Sequence, residues 1–127
     1  MKRRHRLSRS RDFDAVYRHG RSVATRYLVL YSFAREDESD AEPRLGLAVG
    51  RQLGTAVERN RLKRRLRGAF DELHGRVAGG RDYVLIARPG LPEAIDGRGF
   101  PWLVERVAEV FERAQVAERT AAPPPSP

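Results

Sequence analysis

Residues 55–73, TAVERNRLKRRLRGAFDEL, leave this chain little choice of local structure. Thr55 followed three residues later by Glu58 is a capping box, each side chain accepting from the other residue's backbone N–H. Leu62, Leu66, Ala69, Phe70 and Leu73 then recur at helical spacing and mark one buried face. On the helical wheel, Asn60, Arg64 and Arg67 lie opposite that face. Arg61 and Arg65 flank it on one side, Arg59 and Lys63 on the other. An ordinary solvated helix mixes charge signs and gains i,i+4 pairs. Here Arg51 to Arg67 holds seven basic residues and one acid, Glu58, which the capping box already uses. Unpaired like charges repel, so an outside partner must compensate them. Arginine presents a planar fork that matches phosphate oxygens, which makes a nucleic-acid backbone the natural partner.

The charge is unevenly spread along the 127 residues, whose formal net charge is +8. Residues 1–35 carry ten Lys/Arg against two acids, whereas residues 68–127 carry seven against nine. The polyanion-binding surface therefore belongs to the first half, and the second half is read as structural. With no cysteine there are no disulfides, thiolate catalysis or Cys-based zinc sites. No apolar run approaches a membrane span, and the basic start Met1–Arg6 is not followed by the hydrophobic stretch of a signal peptide. A cytoplasmic protein with no membrane partner is the expectation.

The length suits one domain. It is expected over residues 1–119, with a basic arm at 1–10 and a disordered tail at 120–127, where Ala121–Pro127 holds four prolines in seven residues. A short helix is expected over Arg11–His19, with Ser10 as N-cap, Gly20 at its exit, and Phe13, Val16 and Tyr17 on one face. Arg26–Phe33 reads as a strand, and Arg35–Pro43, with five acids, as a solvated hairpin loop. In Arg44–Val49, Leu45, Leu47 and Val49 alternate with Gly46, Ala48 and Gly50, whose small side chains let a ligand or another backbone come close. The continuous apolar run inside Asp82–Arg88 fits a central or parallel strand. Pro89–Gly99 reads as a loop, and a core-packing helix begins near Pro101. The expected order is α-β-β-β-α-β-α, an α/β two-layer sandwich with helices on a small mixed sheet.

Residues suited to catalysis are scarce. Asp12 and Asp14 fall on different sides of a helix, and His5, His19 and His74 are scattered near tails and helix ends. Neither a carboxylate cluster for two metals nor a histidine pair for acid–base work is present. Gly79-Gly80 is a plain turn, not a phosphate-binding loop. No catalytic residue and no metal ligand is assigned to the protein.

Arg59-Asn60-Arg61-Leu62-Lys63-Arg64-Arg65-Leu66-Arg67 resembles the signature helix of the bacterial ribonuclease P protein subunit. Three further blocks agree in order and spacing: Arg6-Leu7 with Asp12-Phe13 and Gly20, Arg44–Val49, and Asp82–Arg88. The resemblance runs from about residue 6 to about residue 115. It implies the ribosomal protein S5 domain 2-like fold, with a left-handed crossover around the basic helix where chirality rules alone give a right-handed one. It also implies a role beside a catalytic RNA that holds Mg²⁺ and hydrolyses the bond freeing the 5′ leader of precursor tRNA. Arg51, Arg59, Asn60, Arg61, Lys63, Arg64 and Arg67 would contact that RNA. Phe13, Tyr17, Arg26, Val29 and Tyr31 would line a leader cleft, where stacking suits a strand of arbitrary sequence. Periodicity alone makes Phe13 and Tyr17 a core-packing pair, and only the resemblance places them in a cleft. Gln52 stands where relatives commonly have a second basic residue beside Arg51, Thr55 where asparagine is frequent, and Tyr17 where phenylalanine is common.

The partners expected are thus the ribonuclease P RNA and precursor tRNA, without DNA, for a protein that is monomeric when free. Two other readings compete. A ribosomal or assembly RNA-binding protein would use the same helix without an open aromatic cleft. A protein-only nuclease would need the carboxylate cluster that the sequence lacks.

Overall fold

A computed structural model describes residues 10–34 and 42–120. The expected basic arm up to residue 9, the acidic loop before Glu42 and the proline-rich tail from residue 121 lie outside the described residues. Helix α1 spans Ser10–His19, and strands β1 Arg21–Ala24, β2 Leu28–Ala34 and β3 Arg44–Ala48 follow. Helix α2 is Ala56–Leu73, β4 is Arg81–Ala87, α3 is Leu91–Arg98 and α4 is Phe100–Thr120. The four strands form one mixed sheet in the order β1-β2-β4-β3, with β3 parallel to β4 and the other pairs antiparallel. A parallel pair needs a crossover, and α2 supplies it. The sandwich expected from the sequence is the fold found, and β4 is the central strand its apolar run suggested.

Two expectations are corrected. The chain turns at Thr25–Tyr27, where a continuous strand from Arg26 was expected. The Thr25 N–H donates to the Leu28 carbonyl at 2.8 Å, the Arg88 N–H to the Tyr27 carbonyl at 2.9 Å, and Arg88 Nη1 to the Thr25 carbonyl at 2.7 Å. Besides the local bond to Leu28, Arg88, 63 positions from Thr25, holds this turn without glycine, proline or asparagine, so no strong local signal announces it. The second correction is α3, which occupies the expected loop Pro89–Gly99. Gly90 enters at φ 94°, Pro92 sits in the first turn, and Leu91 and Ile95 are buried four residues apart.

Side chains of β2, β3 and β4 alternate between two layers. Leu28, Leu30, Leu45, Tyr83, Leu85 and Ala87 join Leu62, Leu66, Ala69, Phe70 and Leu73 of α2, and Leu103, Val107, Val110 and Phe111 of α4, in the main core. All five α2 positions read as its buried face are buried. On the opposite face a smaller cluster gathers around Val16 and Val84, with Phe13, Tyr31, Phe33, Ala48 and Ile86 packed against it. Gly20 fastens α1 there: a Cβ at this position would meet the Val16 carbonyl at 2.3 Å and the Ser32 carbonyl at 2.7 Å. Only glycine permits so close an approach of helix exit to strand.

Candidate nucleic-acid interface

The capping box forms as the sequence requires. Thr55 Oγ1 accepts from the Glu58 N–H at 3.2 Å, and Glu58 Oε1 accepts from the Thr55 N–H at 3.1 Å. Those bonds, the backbone one foremost, lower the Glu58 pKa, so the one acid of this stretch is kept ionised within the cap. Asn60 and Arg64 are exposed opposite the buried face of α2 and Arg61 is exposed on one flank, whereas Arg59, Lys63 and Arg65 are half-buried on the flanks; Arg67, expected opposite the buried face, is half-buried as well. Arg65 reaches Asp96 of α3 at 3.3 Å, which takes it out of the free basic surface. Arg51 is exposed on a single 3-10 turn, Arg51–Leu53, between β3 and α2.

The strand registers lay out the α1-side face of the sheet in three rows: Phe33–Asp82–Arg44, Tyr31–Val84–Gly46 and Val29–Ile86–Ala48. Arg44 closes the first row with a bidentate pair to Asp82, at 2.8 and 2.7 Å. Helix α1 covers the second. The Phe13 ring fills the space over Gly46, where an added Cβ would lie 2.5 Å from its Cζ. The room read in the small-residue face of β3 is thus occupied, at this position, by a ring of the protein itself. Tyr17 stands edge-on to Tyr31, ring centroids 5.1 Å apart, and lies 6.4 Å from Phe13.

The third row is only half-covered: Val29, Ile86 and Ala48 are all partly exposed. Tyr17 overlooks this face with 40% of its surface open. It is not the buried core residue that periodicity alone favoured. Partial burial, then the neighbouring Tyr31, raises its pKa, so its hydroxyl stays neutral beyond the ordinary phenol range. A neutral ring suits stacking beside a polyanion.

Phe13, Tyr17, Val29 and Tyr31 are therefore brought to one face. Arg26 is not. It sits in the Thr25–Tyr27 turn, its guanidinium 5.2 Å from the Tyr27 ring centre, beside residues of α4. The edge strand β1 is one of the three strands expected before the basic helix, but the sequence reading places no residues in it, and Arg26 lies in the turn that follows it rather than in a strand. Ala48, one of the small residues expected to leave room on β3, forms the floor of this row together with Ile86, which is not among the residues expected there. The alternation Asp82, Val84, Ile86 in β4 was the signal that could have found Ile86.

The family model described as Ribonuclease P matches residues 1–115. The ribonuclease P protein component of Symbiobacterium thermophilum is 44% identical over 119 residues, covering 94% of this chain and 98% of that one. The protein component from Bacillus cereus strain B4264 is 42% identical over 88 residues, 69% of this chain and 75% of its own. Among solved structures, the RNase P protein from Thermotoga maritima aligns with a TM-score of 0.77 at 32% identity, over 87% of this chain and 97% of that chain. Matched in sequence from its first residue into α4, and in fold across the sheet and helices, this chain belongs to the bacterial ribonuclease P protein family.

Proposed function

We propose that the protein holds two RNAs together in ribonuclease P: a catalytic RNA on α2 and the single-stranded 5′ leader of precursor tRNA in the cleft under α1. The observation that supports this most is a shared location. Strand β3 ends at Ala48, in the open Val29–Ile86–Ala48 row, and the chain passes from there through the Arg51–Leu53 turn into α2. The start of the basic helix and the open end of the aromatic cleft therefore occur at one end of the sheet. Arg51, Arg59, Asn60, Arg61, Lys63, Arg64 and Arg67 would contact phosphates of the catalytic RNA. Phe13, Tyr17, Val29 and Tyr31 would meet the leader, whose bases all offer a π-face whatever their identity.

The reaction is hydrolysis of a phosphodiester bond, and its chemistry is assigned to the RNA. Among the described residues, no group of three or more His, Asp or Glu side chains is placed to hold a metal ion. Mg²⁺ would bind chiefly to RNA phosphates, as the family resemblance implies, and the protein's cations would lower the repulsion that opposes bringing two RNAs together. No described helix is long and apolar enough to cross a membrane. A cytoplasmic setting is proposed from the family alone. A purely ribosomal role is less favoured, because it leaves the open ring of Tyr17 without a purpose.

The test is cleavage of 5′-labelled precursor tRNA by a bacterial ribonuclease P RNA at low Mg²⁺, with and without this protein. Cleavage at the mature 5′ end only when both are present is the expected result. Cleavage by the protein alone would turn the assignment to a protein-only nuclease, and no stimulation with an RNA active at high Mg²⁺ would favour the ribosomal reading. In the same system Arg61→Ala with Arg64→Ala should flatten the salt dependence of assembly, by about 0.7–0.9 in log–log slope per lost contact.

A further inference from the structure

On the face opposite the cleft, α4 packs across β1 and β2 and leaves a groove of about 340 Å³ beside the Thr25–Tyr27 turn. Trp102 stands edge-on to Tyr27 with ring centres 5.2 Å apart. Three guanidiniums sit over these two rings: Arg26 over Tyr27 at 5.2 Å, and Arg98 and Arg106 over Trp102 at 5.6 and 5.9 Å. Arg113, two turns beyond Arg106 on α4, completes the lining together with Glu109. Trp102, Arg106, Glu109 and Arg113 recur at three- and four-residue steps, so they form one stripe of the helix.

Charge in this groove is not balanced. Glu109 pairs with Arg106 at 3.5 Å, and Glu105 lies 3.8 Å from the same arginine. Among the described residues, Arg26, Arg98 and Arg113 have no carboxylate partner. Arginines that only seal a helix against a sheet would be expected to pair with some of the acids of α4. A guanidinium laid over an aromatic ring keeps its N–H donors pointing outward and offers a flat cationic surface on which a base can stack. Guanidinium forks for phosphate and planar surfaces for bases are the two requirements for holding single-stranded nucleic acid.

We propose that this groove is a second RNA-binding site, occupied by the leader where it continues beyond the cleft. The inference rests on the leader lying under α1. The Thr25–Tyr27 turn gives the path: Ala24 is paired with Val29 beside the open row, and two residues later Arg26 already lines the groove. A strand leaving the open row passes Arg26 and meets Arg98, Arg106 and Arg113 in turn. The second half of the chain, read from its net charge as purely structural, thereby contributes three of the four groove arginines.

Trp102 is the one tryptophan of the protein, so its emission reports on the groove alone. The full-length protein would be titrated with unstructured single-stranded RNAs of about 4 and about 12 nucleotides, lengths that bracket a single binding face. The long strand should quench Trp102 and the short one should not. Arg98→Ala with Arg113→Ala should abolish the quench and make the salt slope for the long strand shallower by about 1.4, two contacts at about 0.7 each. The corresponding lysine pair should restore the slope. Tyr17→Ala should weaken both lengths and leave the quench by the bound long strand in place. If the long strand binds without altering Trp102, or the double alanine variant changes affinity for neither length while circular dichroism shows it folded, the groove is not an RNA site. If Tyr17→Ala affects neither length but the quench persists, the cleft reading fails and the groove stands as an independent RNA site.

Discussion

Alternate residues of β4 face two different surroundings. Tyr83, Leu85 and Ala87 point into a layer closed by the 18 residues of α2 and the 21 of α4. Asp82, Val84 and Ile86 point toward α1, which has ten residues and leaves one row of the sheet partly open. Apart from the Arg44–Asp82 pair at one end of the α1 side, the side chains on the two faces are similarly apolar, and the area of helix above them is what differs. Apolar alternation in a strand therefore identifies a surface that must be covered, without saying whether the protein or a ligand covers it.

The sharpest way to break this comparison is to empty a position on each face. Phe70 is fully buried, 5.9 Å from Phe111 in ring-centre distance. Phe70→Ala should cost about 3–5 kcal/mol of folding stability in a urea titration, through lost transfer energy and a cavity that cannot collapse. A loss of only a few tenths would mean that the main core is as loosely covered as the cleft. On the other face, Tyr17→Ala should change stability by less than about 1 kcal/mol, as an exposed side chain does. It should weaken binding of precursor tRNA by about 1–3 kcal/mol, in proportion to leader length, and leave assembly with the catalytic RNA intact. An equal loss with leaderless tRNA would refute the leader role of the cleft.

The smallest effect is in pH. The Tyr17 pKa is raised in the folded protein, so its contribution to stability is fully present below the ordinary tyrosine value and is lost as pH rises through the raised one. An alkaline titration of phenolate absorbance should accordingly lose a late-titrating tyrosine in Tyr17→Phe. If the curve of the remaining tyrosines instead matched the native curve at its upper end, Tyr17 would be as open to water as a free side chain.

What the sequence revealed and what it hid divide along the range of the interactions involved. The cap and buried face of α2 depend on partners within four residues, and Thr55, Glu58 and the leucine spacing announced them correctly. The Thr25–Tyr27 turn is held by Arg88, so the sequence alone reads as a continuous strand from Arg26, whereas Arg26 lies beside α4 and not in the cleft. Gly90, Pro92, Gly97 and Gly99 masked α3, although Leu91 and Ile95 already had helical spacing. Residue types suited to RNA were legible in the basic helix. The half-open row was not, because coverage is decided by where α1 crosses the sheet, and Gly20 and Gly46 set that crossing through contacts with Ser32 and Phe13.

The parallel pairing of β3 and β4 has a mechanical consequence. Five residues of β3, Arg44 to Ala48, are locked in register to β4, and α2 starts eight residues after the last of them. Sliding α2 relative to the cleft would mean tearing that ladder, so the spacing between the two surfaces is fixed before any ligand arrives. The protein behaves as a gauge block and not as a hinge. A partner that fits both surfaces at once spends little of its binding free energy on ordering the protein. One that fits a single surface gains nothing from the other, and this rigid distance can itself discriminate between RNAs.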